Sequence, residues 1–190
     1  MKNAQRLLLC LPLLITLMAC KESAAKYTVG PNADLNGIVF GKKILSNTDL
    51  TGANLTDANL NSVDLTGSLL TSADLTRATS NKDTILKRAN LDSALLVNAS
   101  MLATDFTGAS LSGTNLSDAK LAGANFTQAN MRGAVLSGAS LDDAIMKGAV
   151  LTAANLEGAN SKQNLNLGDS NLVDAILKSA SLLGTNFTNA

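Results

Sequence analysis

The chain has 190 residues, 15 basic and 15 acidic side chains that cancel to a formal charge of zero, and no histidine. It is 46% hydrophobic but only 3% aromatic, whereas a globular core ordinarily leans on aromatic rings for buried area. A balanced charge removes the electrostatic case for nucleic acid, and the lack of His deprives acid/base and zinc chemistry of their commonest group.

In chain order the first element is a leader, residues 1–19. It has Lys2 and Arg6, an apolar stretch from Leu7 to Met18, and the small residue Ala19 before Cys20. A basic start, a short apolar segment and a small residue before the cut make an export signal, and the apolar stretch is too short to span a bilayer comfortably. Leu17-Met18-Ala19-Cys20 resembles the lipobox of bacterial lipoproteins, whose Cys is acylated and becomes the mature N-terminus. The resemblance implies lipidation of Cys20 and a membrane anchor in the cell envelope. Lys21, rather than Asp, follows the Cys, which implies the periplasmic side of the outer membrane in a bacterium with two membranes. The alternative is an ordinary export signal with an incidental Cys. Because Cys10 lies in the leader, no structural disulfide is expected. Residues 20–32 form the second element: they lack periodicity, contain the only Tyr, and read as a short tether ended by Gly30-Pro31.

From residue 33 to 190 one pattern governs the chain. A large residue recurs every five positions from Leu35 to Leu75, again from Leu86 to Leu156, and again from Leu167 to Phe187. Two places before most of them stands a small or β-branched residue, most often Ala, with Thr, Ser, Val or Ile at most of the others. In extended backbone, residues i and i−2 share a face while i−1 points away, so Leu116 and Thr114 face one way and Asn115 the other. Strict alternation over a repeat of five would throw the next Leu outward. Every large residue can point inward only if each unit contains a corner, and the intervening Gly, Ser, Thr, Asp and Asn suit one. A helix fails, because five residues advance a side chain by about 140° net and no apolar stripe forms.

Ala53-Asn54-Leu55, Ala58-Asn59-Leu60, Ala73-Asp74-Leu75, Ala89-Asn90-Leu91 and Ala154-Asn155-Leu156 resemble the repeat of the pentapeptide repeat family, Ala-(Asp/Asn)-Leu-x-x. The resemblance covers residues 33–190. It implies an all-β fold, a right-handed quadrilateral β-helix of about eight coils, roughly 38 Å tall at a strand spacing near 4.8 Å.

The period slips twice. The steps Leu75 to Leu86 and Leu156 to Leu167 are one residue too long, with Ser80 and Ser161 in the place of the missing large residue. Both insertions fall on the second side of the square, at the same corner, four coils apart. A bulge of this kind is a tolerated insertion, or it marks function. The functional version is an interaction patch made by Lys82, Lys162 and the intervening Asp142 and Asp143, the two carboxylates pointing in diverging directions. Lys43 and Leu165 occupy positions meant for small inward residues. A buried unpaired Lys is costly, so Lys43 implies distortion in the second or third coil, or a side chain that snorkels outward. Phe106, Phe126, Met146 and Phe187 share the third side and read as core stacking.

No arrangement of nucleophile and base, zinc set or phosphate loop is present, so no enzymatic activity, metal or cofactor is expected. The reading is a lipid-anchored envelope scaffold that binds an envelope protein through flat β faces. The alternative is a mimic of DNA that protects topoisomerase, as some cytosolic members of the resembling family do. That mimicry needs a strongly acidic surface, and residues 33–190 carry 11 basic against 14 acidic residues. The chain ends at Ala190 without a capping element, so the final coil, from about Leu172 through Phe187, is expected to be covered, most simply by the same end of a second copy. A frayed last coil is the plainer alternative.

Overall fold

The computed structural model describes residues 28–190. Cys20 and the leader lie outside the described residues, as does most of the tether. From Leu35 onward the chain is a four-sided solenoid, each side a ladder of parallel bridges between successive coils. Asp34, Asn54, Asp74, Leu95, Asn115, Val135, Asn155 and Ile176 stack on side one. Val39 starts side two, Ile44 side three and Asp49 side four. Bridge partners are 20 residues apart, for example Asn115 and Val135, and 21 apart across each insertion, as for Asp64 and Ile85. Most contacts are single bridges. Two-residue strands appear only on side two, where Thr79–Ser80 pairs with Ser100–Met101 and Asn160–Ser161 with Ser181–Leu182.

The five-residue unit closes its hydrogen bonds almost completely. Around Leu116, the Asn115 N–H donates to Ala94 O in one neighbouring coil, at 2.9 Å. Leu116 N–H and Asp118 N–H donate to Val135 O and Ser137 O in the other, at 2.6 and 2.9 Å, and Ala119 N–H turns back to Leu116 O at 3.1 Å. The fifth donor, Ser117 N–H, is met by the side chain of Asn115, whose Oδ1 lies 3.0 Å away. The same Asx bond joins Asn54 to Thr56, Asp74 to Thr76, Asn125 to Thr127 and Asn155 to Glu157. The outward Asp or Asn of the repeat is therefore a structural acceptor as well as a surface residue. Proline, which cannot donate, would break one of these five bonds at any position.

Regular corners take one left-handed residue, two places after the large one, and Gly, Asn, Asp and Ser supply most of them. Gly138 (φ 69°) is such a corner; a Cβ there would collide with the Asp118 carboxylate of the adjacent coil. Asp118 itself takes the left-handed conformation (φ 57°) in that coil.

The core is the stack of inward residues. Leu, Phe and Met at the large position and Ala at the small one are buried from Leu35 to Leu167. Phe106 and Phe126 stack face to face, ring centroids 4.7 Å apart, and Met146 is buried beyond them. Phe187, expected in the same stack, is 43% exposed, because its ring is in the last of the described coils and only the preceding coil packs on it. Two of the hydroxyls at the small position donate to a carbonyl of the adjacent coil: Ser68 to Leu45 O at 2.6 Å, Thr114 to Leu91 O at 2.7 Å. Leu165 is fully buried, restoring side-chain volume that Ser161 lacks. The distortion tied to Lys43 falls in the first coil rather than the second or third. There the corner after Phe40 is a bend with Gly41 left-handed (φ 62°), and Lys43 is only partly buried.

Candidate functional site

The two insertions are closed in different ways. After Ser80 the chain makes a turn at Lys82 and Asp83, fastened by Thr84 N–H to Asn81 O at 2.9 Å. The rung that Ser62 N–H would give to main chain goes instead to Asn81 Oδ1, at 3.0 Å. The Thr84 hydroxyl donates to Leu60 O, at 2.9 Å. Ser80 lies in the core, hydrogen-bonded to the Thr104 hydroxyl and to the Met101 sulfur. One side chain thus replaces one backbone partner, and Lys82 and Asp83 are left on the surface.

The second insertion is fastened by the coil preceding it. Asp142 Oδ1 accepts the Lys162 N–H at 2.6 Å, and both oxygens of Asp143 accept amides, from Asn164 Nδ2 and Gln163 Nε2, each at 2.8 Å. The Asn164 and Gln163 amides hold the Asp143 carboxyl below its ordinary pKa, against a smaller opposing effect of burial. Asn164 is left-handed (φ 51°), and the Ser161 hydroxyl donates to Gln163 O at 3.0 Å. The two carboxylates do not diverge into solvent; both reach the inserted segment and hold it. Asp142, Asp143 and Lys162 are thus brought together, Lys162 through its backbone, while Lys82 stands at the other insertion, four coils away. Gln163 and Asn164 are the residues that sequence reasoning missed. Their signal was the coil spacing, since Gln163 stands 20 residues from Asp143.

Other charges pair between adjacent coils. Arg77 grips both oxygens of Asp57 at 2.7 Å, Lys87 meets Asp105 at 3.1 Å, and Lys178 meets Glu157 at 3.1 Å. The Arg77 hydrogen bonds lower the Asp57 pKa. Such exposed pairs contribute little to stability, but they neutralise the faces they stand on.

Two surface regions depart from this closed pattern. At the first coil, an open groove of about 510 Å³ lies between the bent corner and the first insertion, lined by Lys42, Lys43, Ile44, Ser62, Asp64, Asp83 and Ile85. At the other end, Val173, Ile176, Leu183 and Phe187 are exposed, and Leu172 and Leu182 are only partly covered. Among the described residues, no group of three or more His, Cys, Asp or Glu is placed to hold a metal ion. No helix of the described residues is long and apolar enough to cross a membrane.

Comparison with known proteins follows the same lines. The family described as pentapeptide repeats matches in eight copies, over residues 32–67, 84–123, 119–158 and 163–190. Among solved structures, the chain is similar to HetL, a pentapeptide repeat protein involved in heterocyst differentiation regulation in the cyanobacterium Nostoc sp. strain PCC 7120. The two are 27% identical over 81% of this chain and 91% of that one, with a TM-score of 0.47. QnrB1, a plasmid-mediated fluoroquinolone resistance protein, is 16% identical over 76% of this chain and 91% of its own, with a TM-score of 0.37. A pentapeptide repeat protein of the Arabidopsis thaliana thylakoid lumen is 23% identical over 65% of this chain and 68% of its own, with a TM-score of 0.31. A search of curated protein sequences returns no match. The five-residue period, the four parallel ladders and the family match agree: the chain belongs to the pentapeptide repeat family, and its fold is that family's right-handed quadrilateral β-helix.

Proposed function

We propose that this protein is an exported, lipid-anchored, non-enzymatic scaffold of the bacterial cell envelope, which binds a protein partner through its β-helix. In this reading residues 1–19 are removed, Cys20 carries the lipid, and residues 20–32 tether the solenoid to the membrane. In a bacterium with two membranes the site is the periplasmic side of the outer membrane. The observation that carries the anchor is the run Leu17-Met18-Ala19-Cys20 behind a basic and apolar start. Support for a scaffold comes from the use of polar groups. The Asx residues cap backbone N–H groups, and Asp142 and Asp143 hold the second insertion, so these carboxylates and amides are engaged in building the rod. Mass spectrometry of the mature N-terminus tests the anchor: a diacylglyceryl group on Cys20 is expected, and an intact leader or an unmodified Cys20 overturns it. Crosslinking in intact envelopes, followed by identification of what is bound, tests for the partner.

The exposed apolar residues of the last coil support a contact there, most simply with the same end of a second copy in a two-fold dimer. Unpaired ladder edges and exposed apolar side chains favour pairing with another chain. Sedimentation of the chain that starts after Cys20 is the measurement: a dimer is expected at micromolar concentration, and a monomer at high micromolar concentration rules out self-association through this end.

A further inference from the structure

The two most exposed large apolar side chains of the described residues stand together in the first coil: Val39, 67% exposed, and Ile44, 77% exposed. Both occupy the outward position that Asp or Asn usually fills to cap the corner. They flank a corner that is a bend rather than a regular turn, and the residues between them include Lys42 and Lys43. No ion pair between described residues engages either lysine. The first coil is also where the chain arrives from Cys20. Thr28 lies eight residues beyond that Cys, a span of about 28 Å at full extension.

We propose that this corner is a membrane-docking patch, with Val39 and Ile44 entering the headgroup region of an anionic lipid surface and Lys42 and Lys43 meeting its phosphates. The proposal rests on the lipid-anchor reading of Cys20. Apolar residues edged by lysine suit the interface, where the hydrocarbon is buried and the ammonium groups stay with phosphate. A short tether keeps the patch near the bilayer, so a contact too weak to recruit the protein from solution still orients it. The acidic members of the same groove, Asp64 and Asp83, stand one and two coils further from the tethered end. At about 4.8 Å per coil they lie about 5 and 10 Å further along the rod than the lysines, so a rod tilted onto its first coil brings the ammonium groups nearest the phosphates. The docked rod would lean on this corner of its first coil, with its far end tilted away from the bilayer.

The mature chain offers a clean probe, since Cys10 is in the leader and the Cys20 thiol is taken by lipid. The acylated full-length product, as Ile44→Cys or Leu183→Cys, is labelled with an environment-sensitive fluorophore and reconstituted into phosphatidylethanolamine vesicles containing phosphatidylglycerol. The label at position 44 is expected to be quenched several-fold more than that at 183 by nitroxide-bearing lipid. Joint Lys42→Glu and Lys43→Glu replacement, or phosphatidylcholine vesicles, should reduce that difference. Equal quenching at the two positions, with the diacylglyceryl mass present on Cys20, overturns docking and leaves the anchor standing. Absence of that mass overturns both. A label at 44 that becomes shielded in detergent, without vesicles and in proportion to protein concentration, assigns the patch to a second copy and overturns the proposal.

Discussion

The coil around Leu116 and the coil around Leu182 are written in the same five-residue grammar and have different fates. Leu116, Leu121, Phe126 and Met131 are fully buried; Leu177 and Phe187 are exposed, and Leu182 is half-buried. Local sequence does not explain the contrast, because both coils place a large residue inward and a left-handed residue at the corner. The difference is the number of neighbours. A middle coil exchanges hydrogen bonds with a neighbour on each side, donating to both and accepting from both, while the last coil has one such neighbour among the described residues. Stability in such a stack belongs to the interfaces between units, and a repeat with one interface has little of its own.

The largest expected effect tests this contrast directly. Leu116→Ala leaves a cavity sealed by coils on both sides and should cost about 2–5 kcal/mol, the range for buried Leu truncation. Leu182→Ala removes the same atoms from a half-covered site and should cost about 1 kcal/mol or less, because part of the loss is already exposed to water. Denaturant melts of the two variants, with hydrogen exchange to separate fraying from global unfolding, give the comparison. Equal costs would mean that the last coil is covered in solution.

A smaller effect comes from the corner caps. Asn115 accepts the Ser117 N–H and the Ser117 hydroxyl, at 3.0 and 2.6 Å. Asn171 accepts the Val173 N–H at 3.0 Å near the open end, where both residues are exposed. Removing a side chain that caps a backbone donor costs on the order of 1 kcal/mol at helix N-termini, and the chemistry here is the same. Asn115→Ala should therefore cost about 1 kcal/mol, whereas Asn171→Ala should stay within about 0.5 kcal/mol because water replaces the lost acceptor. Thermal melts of the pair suffice. An Asn115→Ala protein that melts like the parent would make the Asx bond dispensable.

The caps also mark the limit of what was legible beforehand. Alternation over an odd period shows that each unit turns a corner, so the inward and outward sides of Leu116, Thr114 and Asn115 follow from spacing alone. The role of Asn115 does not, because it depends on which backbone donor the corner leaves unpaired. That is known only once the bonds of the four other N–H groups are in place. The position of the second insertion was readable, while its attachment to Asp142 and Asp143 was not. Those carboxylates read as a free surface pair until the coil spacing set Lys162 and Gln163 beside them. Lys43 marked a distortion correctly, but counting coils from the sequence placed it too far along, since the irregular corner belongs to the first coil. Phe187 read as core because its spacing is that of Phe126; spacing carries no information about whether another coil lies beyond.

The smallest effect is electrostatic and again separates the middle from the end. Thr107 N–H is capped by the Asp105 carboxylate at 3.0 Å, and Thr188 N–H by the neutral amide of Asn186 at 2.9 Å. Burial alone would push the Asp105 carboxyl up from its ordinary value of 3.8; the hydroxyl and N–H of Thr107 and the Lys87 ammonium together outweigh it and hold it below. A carboxyl lowered in the folded protein stabilises the fold at every pH above its unfolded value, and that stabilisation is lost as pH falls through the folded one. Protection of the Thr107 amide against hydrogen exchange, corrected for the intrinsic rate, should therefore weaken from about pH 4 downward. Asp105→Asn keeps an acceptor for Thr107 N–H and removes the proton, so its protection should be lower at neutral pH and flatter in acid. The Thr188 amide, whose cap does not titrate, should show no transition of this kind. An Asp105→Asn protein whose Thr107 protection still falls with the parent's pH profile would move the acid sensitivity away from this carboxylate, to other lowered groups such as Asp57 or Asp64.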